Sequence, residues 1–96
     1  MAKIFGGIDI DVITDLKKLP QQVASAQSAL ETAGLTGASY KVLVYVGDQL
    51  VRGTNYWFIA EQTLVLATPE KHIVIMAINE YEGEYEIVKS SIVRII

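Results

Sequence analysis

The residues able to do chemistry in this 96-residue chain are few, and their spacing restricts what they can do. There is no cysteine, so a thiol nucleophile, a zinc–thiolate site and a disulfide framework are all excluded. The single histidine, His72, follows Pro69-Glu70-Lys71 and has no second histidine or thiol to work with, so it is expected to be a solvated turn residue. Glu80, Glu82, Glu84 and Glu86 recur with period two. On one continuous strand they would form a carboxylate row suited to a hard cation. A turn at Gly83 would split the row and leave a solvated edge that resists aggregation. No Ser-His-Asp spacing, phosphate-cradling glycine loop or metal-ligand cluster is present, so no enzymatic activity, cofactor or metal is expected.

One stretch stands out instead: Gln49-Leu50-Val51-Arg52-Gly53, immediately before the aromatic run Tyr56-Trp57-Phe58. The elements around it follow from periodicity. Leu19, Val23, Ala26, Leu30 and Ala33 fall at three- and four-residue spacing, one face of a helix with Pro20 in its first turn and Gly34 as its C-terminal cap. Ahead of it, Ile8, Ile10 and Val12 alternate with Asp9 and Asp11, giving a short strand within 8–16. Beyond Gly37, β-branched and aromatic residues predict strands at 40–46, 54–68, 73–79 and 84–96, with breaks at 47–53, 68–72 and around Gly83. Joins this short require antiparallel neighbours. The expected fold is α+β: one domain over 1–96, with one helix wrapped by a four- to five-stranded antiparallel meander.

The first hairpin admits two registers. Either Gly47-Asp48 is a two-residue turn, or Gly47 sits at a bulge and the chain reverses at Arg52-Gly53.

Composition excludes several functions. Net charge is −3 and the eight basic residues are scattered apart from Lys17-Lys18, so nucleic acid is not an expected partner. The longest apolar runs fall well short of the roughly 18 residues that span a bilayer, so no membrane partner is expected. The first residues lack the long apolar core of a secretory signal, and with the absence of cysteine this gives a cytoplasmic expectation.

One helix, then strand, Gln-x-Val-x-Gly, strand: this order resembles the cystatins, inhibitors of papain-like cysteine proteases. The motif is Gln49, Leu50, Val51, Arg52, Gly53, and the Thr54-Asn55-Tyr56 that follows it is similar to the continuation in the disulfide-free stefin branch. The pair Gly6-Gly7 stands near the distance upstream at which that family has its N-terminal glycine. The resemblance implies a cystatin-like fold and a reversible inhibitor that enters the protease cleft as a wedge. Its carriers would be the N-terminal segment from Ile4 to Gly7, with Gly6 and Gly7, the first hairpin with Gln49, Leu50, Val51, Arg52 and Gly53, and a second hairpin from Asn79 to Gly83, with Glu80, Tyr81, Glu82 and Gly83. Leu50 and Val51 would supply apolar contact, Gln49 hydrogen bonds and Tyr81 an amphipathic ring. Two departures are plain: Tyr81 stands where many members have Trp, among added carboxylates, and Arg52 replaces the usual small residue. The alternative is a non-inhibitory binding or assembly module on the same fold. A monomer is expected, and a strained first loop would let two chains exchange halves as a domain-swapped dimer.

Overall fold

The computed structural model describes residues 7–33 and 35–96. Strand β1 (Ile8–Ile13) leads through a single 3-10 turn, Leu16–Lys18, into helix α1 (Gln21–Ala33), and four long strands follow: β2 (Ala38–Val51), β3 (Gly53–Leu64), β4 (Glu70–Tyr81) and β5 (Glu84–Arg94). All pair antiparallel in the sequential order β1-β2-β3-β4-β5, so the sheet is the five-stranded meander. No helix among the described residues is long and apolar enough to cross a membrane.

The helix starts where the backbone allows it. Asp15 accepts from the Lys17 amide at 3.1 Å and stabilises the 3-10 turn, and the Pro20 carbonyl accepts from the Ala24 amide at 2.9 Å. Pro20 therefore precedes Gln21 as the cap, one position earlier than expected; its missing N–H removes no bond there. Val23, Ala26 and Leu30 are buried against the sheet, whereas Ala33 is exposed and Leu19 packs on the core from just before the helix. The expected cap Gly34 lies outside the described residues.

The inner sheet face supplies Tyr40, Val42 and Tyr45 from β2, Tyr56, Phe58 and Ala60 from β3, Val74, Met76 and Ile78 from β4, and Ile87 from β5. Phe58, Leu30, Met76 and Ile78 are fully buried, each worth about 1.5 to 3 kcal/mol in transfer free energy. Tyr45 and Phe58 pack with ring centroids 5.6 Å apart.

Bulges bend the sheet around α1. Register slips between Val42 and Val44 and again between Tyr45 and Gly47, so β2 carries two extra residues where simple alternation was expected. Beside the first slip, the Glu31 carboxylate of α1 accepts from the Val42 amide at 2.8 Å. In β5 the chain bulges between Val88, opposite Ala77, and Val93, opposite Ile75; there the Ser91 hydroxyl accepts from the Ala77 amide at 2.8 Å. Side chains thus take up amides next to the irregular pairings.

The choice of register in the first hairpin is decided, the orientation of β1 is fixed, and two expectations, for β3 and His72, are corrected. Gly47-Asp48 is no turn: β2 runs through it to Val51 and the chain reverses at Arg52, leaving Gly47 beside the second bulge. A Cβ at Gly47 would run into the Asp9 carbonyl oxygen of β1, so a bare backbone is needed where the edge strand crosses. β3 ends at Leu64 rather than near 68. His72 lies inside β4 opposite Gln62, with only 11% of its side chain exposed and its ring 3.2 Å from the Glu70 carboxylate; the turn precedes it. In β1, the apolar residues Ile8, Ile10 and Val12 are exposed, because the strand turns Asp9, opposite Asp48, and Asp11, beside Tyr45, toward the helix side.

Candidate functional site

The meander brings three separated segments to one end of the sheet. Ile8 pairs with Gln49, so Gly7 stands at the end of β1 beside the first hairpin. Leu50 faces Thr54 and Val51 faces Gly53, leaving Arg52 alone at the first tip. Thr54 pairs in turn with Glu80, and Tyr81 with Glu84, so the second tip, Glu82-Gly83, stands next to the first. Ile4 to Gly6 lie outside the described residues.

The two tips are built by different means. At the second, Glu82 and Gly83 take φ of 52° and 81°, the paired left-handed conformation of a two-residue hairpin turn whose twist matches the strands. The Glu80 carboxylate accepts from the Gly83 amide at 2.8 Å. At the first tip Gly53 has φ 77°, and a Cβ there would collide with the Glu80 carbonyl oxygen of the neighbouring strand. That close approach seats the first hairpin directly on the second.

Side chains then fasten the tips together. On the outer face, the Gln49 amide oxygen accepts from Asn55 Nδ2 at 3.2 Å and from Trp57 Nε1 at 3.0 Å. Asn79 Nδ2 donates to Asn55 Oδ1 at 2.9 Å and to the Arg52 carbonyl at 3.1 Å. This amide row ties β2, β3 and β4 beneath the tips. Above it the Arg52 guanidinium lies 4.8 Å from the Tyr81 ring centroid and within 3.4 Å of its hydroxyl. Leu50 and Tyr81 are each 37% exposed, and Arg52, Glu82 and Gly83 are exposed, so this end presents one apolar contact, one aromatic ring and a mixed charge rim.

Asn55 and Trp57 were not singled out as site residues by sequence reasoning, and Asn79 was included only as the start of the second hairpin. Asn79 bonds to groups 24 and 27 positions away, a relation that no local pattern carries. The motif residue Gln49, expected to offer hydrogen bonds outward, has its amide oxygen engaged within the hairpin.

The acidic series does not form a row. The turn at Glu82-Gly83 separates Glu80 from Glu84 and Glu86, and Glu80 is occupied by the turn amide. Among the described residues no group of three or more His, Asp or Glu side chains is arranged to hold a metal ion.

A cleft of about 340 Å³ opens on the helix side of the same end, lined by Asp11, Pro20, Gln22, Tyr45, Asp48 and Tyr56, among others. Burial first, then the nearby Asp48 and Asp11 carboxylates, push the Tyr45 hydroxyl far above its ordinary value. Burial and Glu80 push Tyr56 the same way. Both therefore stay neutral at physiological pH and act as hydroxyls, not as bases.

In comparisons with known proteins, no family model, no curated protein and no solved structure matches the chain.

Proposed function

We propose that the chain is a cystatin-like, reversible inhibitor of papain-like cysteine proteases, in which the end of the sheet carrying Gly7, Leu50 to Gly53 and Tyr81 to Gly83 occludes the active-site cleft. The single observation that carries this reading is the joining of the two tips. Gly53 is pressed on the Glu80 carbonyl, Asn79 holds the Arg52 carbonyl, and Arg52 covers Tyr81. A wedge acts by shape and places no group for attack, so its affinity depends on how little order must be gained on docking. Two tips already fixed to each other lose little conformational entropy, which lets a modest contact area bind well. Leu50 and the Tyr81 ring are the apolar contacts, Arg52, Glu82 and Gly83 form the rim, and Gly7 lets the start of β1 lie close to the enzyme. The role of Gln49 shifts from direct contact to positioning, since its amide oxygen holds Asn55 and Trp57. The cysteine-free chain suits a reducing compartment, in keeping with action in the cytoplasm.

A second reading, a binding module that inhibits nothing, is favoured by the same engagement of Gln49 and by the charge that Arg52 and Glu82 bring to the tips.

The test is the residual activity of papain and of a cathepsin L-type protease against increasing concentrations of the protein. Saturable, reversible inhibition is expected, weakened at least about tenfold by Leu50→Asp, which removes apolar contact at a partly exposed site without touching the fastening. No inhibition at micromolar protein by a folded wild-type chain would overturn the reading and leave the binding module.

A further inference from the structure

The outer face of the sheet, opposite α1, is more apolar than a water-facing surface requires. In an antiparallel sheet directly opposed residues share a face. One outer row runs Val44, Ile59, Ile75, Val93 across β2 to β5, and the row beside it holds Ile10 of β1 and Trp57 of β3. Ile10 and Val93 are 65% and 57% exposed, and Trp57, Ile59 and Ile75 are partly exposed.

Charge lies at the two ends of that face, with acid in excess at one and base at the other. Toward the hairpin tips stand Glu84 and Glu86, placed outward because Tyr85 and Ile87 between and beside them pack on the core, with Arg52 over Tyr81 as the cation at that end. At the opposite end stand Lys41, between the inward Tyr40 and Val42, and Lys71, which pairs with Glu61 at 3.6 Å. The apolar rows lie midway between them.

We infer that this face is a self-association surface, occupied by the same face of a second copy in a two-fold, sheet-on-sheet dimer. The symmetry follows from the pattern. A two-fold axis lying across the strands reverses strand direction between the copies, so the Glu84–Glu86 end of each covers the Lys41–Lys71 end of the other. The same operation stacks the Trp57 row of one copy on the Ile59 row of its mate, because these two rows flank the middle of the face. An axis along the strands would instead lay β4 over β2 of the mate and so bring Lys71 over its Lys41, so charge selects one of the two arrangements. Five strands at about 4.8 Å spacing and 12-residue strands at about 3.3 Å rise give a face on the order of 900 Å², close to the roughly 800 Å² per partner of a standard stable interface. Twisted sheets stack in this way about 10 Å apart. The tips stay at opposite ends of such a dimer, so the pairing is independent of what the tips bind.

The experiment is sedimentation equilibrium of the purified chain at roughly 100 μM, where a micromolar Kd saturates. Wild type is expected at twice the chain mass. The double variant Ile10→Lys, Val93→Lys changes only side chains that are already more than half exposed, and is expected at the single-chain mass with an unchanged circular dichroism spectrum. Lys71→Glu is expected to weaken the dimer about tenfold, and Glu84→Lys placed in the same chain to restore it, a rescue that only end-to-end charge pairing produces. A monomeric wild type, or a dimer that persists in the double lysine variant as an exchanged-hairpin dimer would, overturns the proposal.

Discussion

At the end of the sheet that carries both tips, each hairpin places a glycine at nearly the same φ, but for different reasons. Gly53 and Gly83 have φ of 77° and 81°, both in the left-handed region. A Cβ on Gly83 would have nothing within 4 Å, whereas one on Gly53 would strike the Glu80 carbonyl oxygen. The second tip needs glycine for a torsion angle alone. The first needs it for the torsion angle and for the approach of its neighbour, so the first hairpin is built against the second while the second stands on its own turn. Equal φ values therefore conceal unequal demands on the residue, and the difference shows where the two loops are coupled.

That contrast is broken most directly by Gly53→Ala. The left-handed conformation costs a β-carbon about 1 to 2 kcal/mol, and displacing the Glu80 carbonyl adds to it, for a total of about 3 kcal/mol. Urea denaturation should show this as a lower midpoint at unchanged slope; a loss below about 1 kcal/mol would mean that the tips are not in contact in solution. Next in size is Asn79→Ala, which removes the bonds to Asn55 and to the Arg52 carbonyl and leaves both acceptors without this donor, about 2 kcal/mol in all. Hydrogen exchange at Gly53 and Thr54 should quicken in this variant while exchange in the centre of β3 stays slow. Acceleration confined to the second hairpin would place the coupling elsewhere.

The meander, its antiparallel sense and the α1 stripe of Val23, Ala26 and Leu30 were legible because each is local: period, punctuation and join length are written in consecutive residues. The reversal at Arg52 was not, since both Gly47-Asp48 and Arg52-Gly53 satisfy turn chemistry. What decides between them is the long pairing of β2 with β3, anchored by Tyr45 and Phe58 in the core. The orientation of β1 was hidden for a related reason. Its alternation of Ile and Asp identifies a strand but not which face meets the helix, and the sheet turns the isoleucines outward. His72 looked solvated because of its polar neighbours Glu70 and Lys71, yet β4 has already begun at Glu70. Of the candidate site, the tip residues were legible from the motif, while the amide row of Gln49, Asn55 and Asn79 spans three strands and exists only once the register is set.

Gly83→Ala should cost about 1 kcal/mol, the torsional term by itself. Subtracting it from the Gly53→Ala loss gives the contact energy between the loops, and equal losses would erase the distinction between the hairpins.

The smallest effect sharpens the comparison furthest. Arg52 covers the Tyr81 ring and reaches its hydroxyl at 3.4 Å, but both side chains are exposed, and a cation–π contact in water is worth only about 0.5 kcal/mol. If the loops are held from beneath, by Gly53 on Glu80 and Asn79 on Arg52, then a double-mutant cycle on Arg52→Ala and Tyr81→Ala should give a coupling near that value, falling further in high salt. A coupling of about 1.5 kcal/mol or more would mean that the rim itself clamps the tips. Arg52 would then be a fastening as well as a contact, and substituting it would loosen both hairpins at once.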